Sequence, residues 1–146
     1  MAEDRRRVEL TSTSTGNYQA RNQAGVTVEV GISEHLFSPV ELLLAAIGAC
    51  SAIDVDVVTS RRAEPTDFRV EVSGDKTTDE SDGARMQDIV VDFTALFGDD
   101  EKAGDAAGLV ERLVRLSHDK DCTVSRTVEL PTRVRMDVAG RTVAGS

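Results

Sequence analysis

Residues 38–62 read SPVELLLAAIGACSAIDVDVVTSRR, and no other stretch limits the fold so strongly. Ser38 is placed to cap a helix, Pro39 takes its first position and Glu41 its third, which completes a capping box and predicts a helix from about Pro39 to Arg62. The middle of that helix is apolar nearly all the way round, the pattern of a helix covered on several faces. Its apolar part also carries Asp54 and Asp56 and falls short of the roughly 20 apolar residues that span a bilayer, which argues against a membrane segment. Such a helix needs protein around it.

The rest of the chain supplies strands. Residues 8–30 are rich in Thr and Val with period-two alternation, broken at Gly16-Asn17 and Ala24-Gly25, and read as two or three antiparallel strands. Phe68, Val70 and Val72 alternate, as do Ile89, Val91 and Phe93, so these segments predict a hairpin whose turn or loop is the polar KTTDESDGAR. Leu109, Leu113 and Leu116 recur at helical spacing, and Val134, Met136 and Val138 mark a last strand. The order βββ-α-ββ-α-β is an α+β arrangement. At 146 residues it makes one domain, 1–146, with residues 1–6 expected to be a flexible N-terminus. About six strands can cover one side of the apolar helix but hardly both, so a homodimer with two such helices between two sheets is the simplest solution.

Composition narrows the partners. A net charge of −9 argues against nucleic acid and anionic membrane, whose phosphates are bound by Lys and Arg. MAEDRRR has no apolar segment behind it that would make a secretory signal, so the expected location is the cytoplasm. That compartment keeps thiols reduced, which leaves Cys50 and Cys122 as packed thiols, reactive thiols or metal ligands. With two Cys, two His and no short ligand pair, no metal is expected.

A thiol attacks as thiolate and needs donors or a cation to lower its pKa. Cys50 lies too far from its own helix N-terminus to gain much there, and Glu41 projects from the opposite side. Asp54 shares the face of Cys50, opposes its ionisation, and is expected to bond to a cation or a backbone group. Cys122, just past the second helix, reads as the easier thiol to reach, and with Asp121 beside it suits a resolving role better than a peroxidatic one. His118 suits the C-terminal end of that helix, while His35 lies in the loop ahead of the Cys50 helix, where it could approach a site.

The segments SPVELLLAAIGACSAIDVDVV and CTVSRTVE together resemble the family of osmotically inducible protein C (OsmC) and organic hydroperoxide resistance (Ohr) proteins. The first is similar to that family's P-x-E-L-L-L-A-A-x-x-x-C signature, with Cys50 at the peroxidatic position. The second is similar to its C-x-V-S segment, with Cys122 at the resolving position. The resemblance implies an OsmC-like fold, an intertwined homodimer whose two central helices are wrapped by antiparallel sheets. It also implies a thiol peroxidase in which Cys50 reduces an organic hydroperoxide, becomes a sulfenic acid and forms a disulfide with Cys122. It further implies that no cofactor is bound and that an external dithiol of the dihydrolipoamide type reopens the disulfide. In the characterised peroxidases a Glu directly after the proline and an Arg from an N-terminal segment activate the thiol, whereas Val40 and Tyr18 stand here, so the chain resembles the OsmC-like branch more closely. Arg126, Arg21 and His35 are the remaining candidates for that activation. The competing expectation is a dimer of the same fold with little peroxidase chemistry, whose inter-subunit cleft binds a small apolar or electrophilic ligand.

Overall fold

The computed structural model describes residues 3–81 and 83–145. Residues 1 and 2 of the expected flexible N-terminus, and Asp82 in the expected hairpin turn, lie outside that range. The chain divides into a unit of residues 1–46 and a unit of residues 47–146.

In the first unit, β1 (Val8–Ser14), β2 (Asn17–Asn22) and β3 (Thr27–Gly31) form an antiparallel meander. Its turns fall where the glycines predict, with Gly16 at φ 77° and Gly25 at φ 85°, values that suit a residue without Cβ. Asn22 Oδ1 accepts from the N–H groups of Ala24 and Val26, closing the second turn. Asn17 Oδ1 takes the N–H groups of Ile32 and Ser33, and Gly31 N–H bonds to Phe37 O at 3.0 Å, so the chain is led from β3 toward Ser38. There the capping box forms in full. Ser38 Oγ accepts from Glu41 N at 3.2 Å and Glu41 Oε1 accepts from Ser38 N at 3.0 Å. These bonds to Ser38 hold the Glu41 carboxyl below its ordinary pKa.

Helix α1 runs Pro39–Thr59, about one turn short of the predicted end at Arg62. Its C-terminus closes on itself: Thr59 Oγ1 donates to Val55 O at 3.0 Å, and Arg62 and Ala63 N–H groups bond to Thr59 O. By length and composition alone α1 would suffice to cross a bilayer, and only 28% of its most apolar window is buried in one chain.

In the second unit, Ile47, Gly48, Ser51, Val55 and Thr59 are the buried positions of α1, spaced three or four apart as one face requires. That face meets the hairpin of β4 (Asp67–Asp79) and β5 (Gly83–Leu96). Gly48 makes the approach feasible, since a Cβ there would stand 2.5 Å from Val72 Cγ2. Phe68 and Phe93 pack edge to face with centroids 6.5 Å apart. The hairpin is longer than its apolar alternation predicts, because polar Asp75–Asp79 pair with Gly83–Gln87. A bulge opposite Gly74 places Asp88 at φ 51°.

Helix α2 (Glu101–Leu116) is capped by Asp100, whose Oδ1 accepts from Ala103 N at 2.8 Å, and it buries Ala103 and Ala106. Beyond it the expected last strand is β6 (Met136–Val138), and three elements go further than the expected order: a π-helical turn (Ser117–Asp121), α3 (Thr123–Glu129), and β7 (Arg141–Ala144), which pairs with β6 in a closing hairpin. That hairpin turns on Ala139-Gly140, both at positive φ, as a two-residue loop demands.

Candidate active site

The site is built from α1 and from the segment that follows α2. At Ser117 the helix widens to a π turn, in which Cys122 N–H reaches back to Ser117 O at 2.8 Å. Ser117 is buried, and its hydroxyl donates to Asp54 Oδ2 on α1 at 2.7 Å. Asp54 therefore bonds to a neutral hydroxyl, where a cation or a backbone group was expected. The tie fixes the start of the turn against α1, and the wider turn brings Cys122 back toward the same helix.

Cys122 leaves the turn with extended backbone and caps α3 with its sulfur, which accepts from Ser125 N at 3.4 Å and lies 3.3 Å from Ser125 Oγ. Cys122 is within hydrogen-bonding reach of both Cys50 and Ser51. Both cysteines are free thiols. Cys122 has no exposed surface, while Cys50 is half-buried, so the order of accessibility is the reverse of that expected from sequence.

The two thiols differ electrostatically. Burial pushes the Cys50 thiol up, the neighbouring Cys122 and the Asp54 carboxylate add to this, and a hydrogen bond from Val124 N–H works against it. Burial also acts to raise Cys122, but the Ser125 hydroxyl and N–H, the Ser51 hydroxyl and the Cys50 thiol outweigh it and leave Cys122 below the ordinary thiol range.

Beside the thiols lies an open cleft of about 520 Å³. Ile47, Ile89, Val91, Phe93, Val114 and Val128 supply its apolar lining, and Ser51 and Ser125, which bond to the Cys122 sulfur, belong to its wall. Its charged members, Asp88, Arg115, His118, Asp119 and Glu129, are all exposed. His118, expected at the end of α2, stands in the π turn that continues it and joins that turn to α3: Nε2 meets Glu129 Oε1 at 2.9 Å and Nδ1 meets Asp119 Oδ1 at 3.0 Å. These partners raise its pKa, Asp119 most.

Of the residues singled out from sequence, the structure brings Cys50 and Cys122 together. Arg126, on α3, lines a different cleft with Lys120, Thr123 and Thr127. Arg21 and His35 belong to the first unit, where the Arg21 guanidinium reaches Gly25 O at 3.4 Å and His35 is exposed ahead of α1. Ser51, Ser117 and Ser125 were not anticipated. Ser125 had a signal in the sequence: a hydroxyl three residues beyond a cysteine has the spacing of a cap and its third helical residue.

A family model described as OsmC-like protein matches residues 32–137. An uncharacterized protein of Mycobacterium tuberculosis is 30% identical over 130 residues, which cover 86% of this chain and 90% of the relative. Among solved structures, a hypothetical protein from Aquifex aeolicus is similar with a TM-score of 0.69 at 26% identity, over 87% of this chain and 89% of that one. The organic hydroperoxide resistance protein OhrB of Bacillus subtilis is similar with a TM-score of 0.54 at 19% identity, over 86% and 90% of the two chains.

Proposed function

Because this chain belongs to the OsmC-like protein family, we propose that it is a thiol-dependent peroxidase of organic hydroperoxides, with Cys50 as the attacking thiol and Cys122 as the resolving one. The observation that carries this reading is the meeting of the two free thiols, one from α1 and one from the cap of α3. The half-buried Cys50 takes the distal peroxide oxygen and releases an alcohol. The Cys122 sulfur then attacks the sulfenic acid, a disulfide forms and water leaves. A dithiol of the dihydrolipoamide type, from outside the protein, restores both thiols.

The cleft supports an apolar substrate body, since six aliphatic or aromatic side chains line it. The fold similarity to a hydroperoxide resistance protein supports the same chemistry. A homodimer in the cytoplasm is part of the proposal. Leu43, Ile53 and Val57 of α1 are exposed in one chain, Ile53 by 60%, and a second copy would cover such a surface. A monomeric mass by light scattering at micromolar concentration would count against that dimer.

A second reading, a dimer of this fold that binds a small apolar or electrophilic ligand with little turnover, is favoured by the raised pKa of Cys50 and by Val40 at the position after Pro39. One titration separates the two. Reduced protein is treated with cumene hydroperoxide beside a Cys50→Ser control, and thiol loss and the Cys50–Cys122 disulfide are followed by mass spectrometry. The peroxidase forms the disulfide stoichiometrically; oxidation no faster than that of a free thiol in solution leaves only the binding reading.

A further inference from the structure

The two sulfurs divide the requirements of the chemistry between them. Cys50 can be reached from solvent, but Asp54 stands one turn along the same helix and opposes negative charge on it. Cys122 is wholly buried, yet groups able to donate surround it: Ser125 N–H donates at 3.4 Å, the Ser125 hydroxyl, which takes the Cys122 S–H at 3.3 Å, can turn its own proton to a thiolate, and the Ser51 hydroxyl and Cys50 thiol lie within hydrogen-bonding reach. The sulfur suited to hold charge is thus not the one a peroxide meets first.

We propose that Cys122 is the base of the pair: it gives up its own proton first, is held as thiolate by Ser125 and Ser51, and takes the Cys50 proton as Cys50 attacks. This rests on the peroxidase reading for its oxidant, an organic hydroperoxide. As the Cys50 S–O bond forms, the O–O bond breaks. Cys50 is oxidised by two electrons, and the proton taken by Cys122 passes to the leaving alkoxide, which departs as alcohol. Cys122, thiolate once more, attacks the sulfenic sulfur; the S–S bond forms, and hydroxide leaves and is protonated by solvent. Ser125 and Ser51 act through Cys122 and are positioning residues, whereas Cys122 serves twice, first as base and then as nucleophile.

The test has a peroxide-free arm. Ultraviolet thiolate absorbance is followed against pH in the reduced wild type and in Cys50→Ser, Cys122→Ser and Ser125→Ala, with circular dichroism to confirm folding. The first deprotonation survives in Cys50→Ser and moves to higher pH in Cys122→Ser and Ser125→Ala. In the second arm, sulfenic acid on Cys50 is trapped after cumene hydroperoxide, and Cys122→Ser forms it about 100-fold more slowly at neutral pH, the usual range for loss of a general base. A low first deprotonation that persists in Cys122→Ser, one that vanishes in Cys50→Ser, or sulfenic acid formed at the wild-type rate without Cys122 overturns the proposal. Should the wild type resist hydroperoxide while the titration keeps the expected order, the peroxidase reading fails and takes the attack step with it. The charge order within the pair then stands. Ser125→Ala and the wild-type titration keep the question open to refutation even if Cys122→Ser does not fold.

Discussion

Replacing Gly48 by alanine tests how α1 is seated and whether the thiols depend on it. The new methyl would lie 2.5 Å from Val72 Cγ2, about 1 Å short of ordinary carbon–carbon contact. Val72 cannot turn away cheaply, because it is β-branched and paired with Val91 in the hairpin. Overpacking of this kind costs about 1–3 kcal/mol. Alanine in a helix interior regains about 1 kcal/mol over glycine. The expected net change is a loss of about 0–2 kcal/mol, up to a roughly 30-fold fall in the folding equilibrium, where an uncrowded site would gain about 1 kcal/mol from the substitution. If α1 instead backs away from β4, Cys50 and Ser51, two and three residues on, move relative to Cys122. Urea denaturation of the reduced protein reads the stability, and the rate of disulfide formation with a small oxidant reads the site. A Gly48→Ala variant stabilised by about 1 kcal/mol, with an unchanged rate, would refute the close packing of α1 on β4.

Ser117→Ala removes the hydroxyl that meets the Asp54 carboxylate at 2.7 Å, and a hydrogen bond to a charged group contributes about 1.5–3 kcal/mol; chemical denaturation should show a loss in that range, and none if the tie is idle. His118 gives a signed pH dependence. Its folded pKa is raised above the ordinary 6.5, so its stabilisation is present in full below 6.5 and is lost as pH rises through the higher folded value. Both its partners are well exposed, which limits the effect to at most about 1 kcal/mol. His118→Gln should therefore lower stability at about pH 5.5 and leave it unchanged at about pH 9; an equal loss at both would mean that charge plays no part.

How much of this was legible in the chain differs by element. Helix α1 was, because a capping box and a long apolar run act locally and agree. The first meander was, through Gly16 and Gly25. The outer half of the β4–β5 hairpin was not, since its pairing is carried by backbone bonds between polar residues without alternation. Helix α3 hid behind TVSRTVE, rich in β-branched residues that disfavour helices; it forms because the Cys122 sulfur caps it and the π turn delivers it. Strand β7 hid behind Ala139-Gly140, a turn that the usual Asn-Gly or Asp-Gly would have announced. At the site, each cysteine was visible and their meeting was implied only by resemblance. That Cys122 is the buried thiol, and that Ser117 holds Asp54, depend on a π turn that no local pattern signals.

A disulfide between Cys50 and Cys122 would reach beyond the two sulfurs to α3. The acceptor that holds its first turn is the sulfur of Cys122. A sulfur drawn into a disulfide bears no negative charge and serves Ser125 N–H poorly. Seven residues are too few to stay helical in water without such help. Oxidation would then loosen 123–129, and with it Ser125, Val128 and Glu129 of the cleft wall. The oxidised protein would differ from the reduced one by a slackened segment, visible as faster amide exchange there, and by surface that the reduced protein keeps covered.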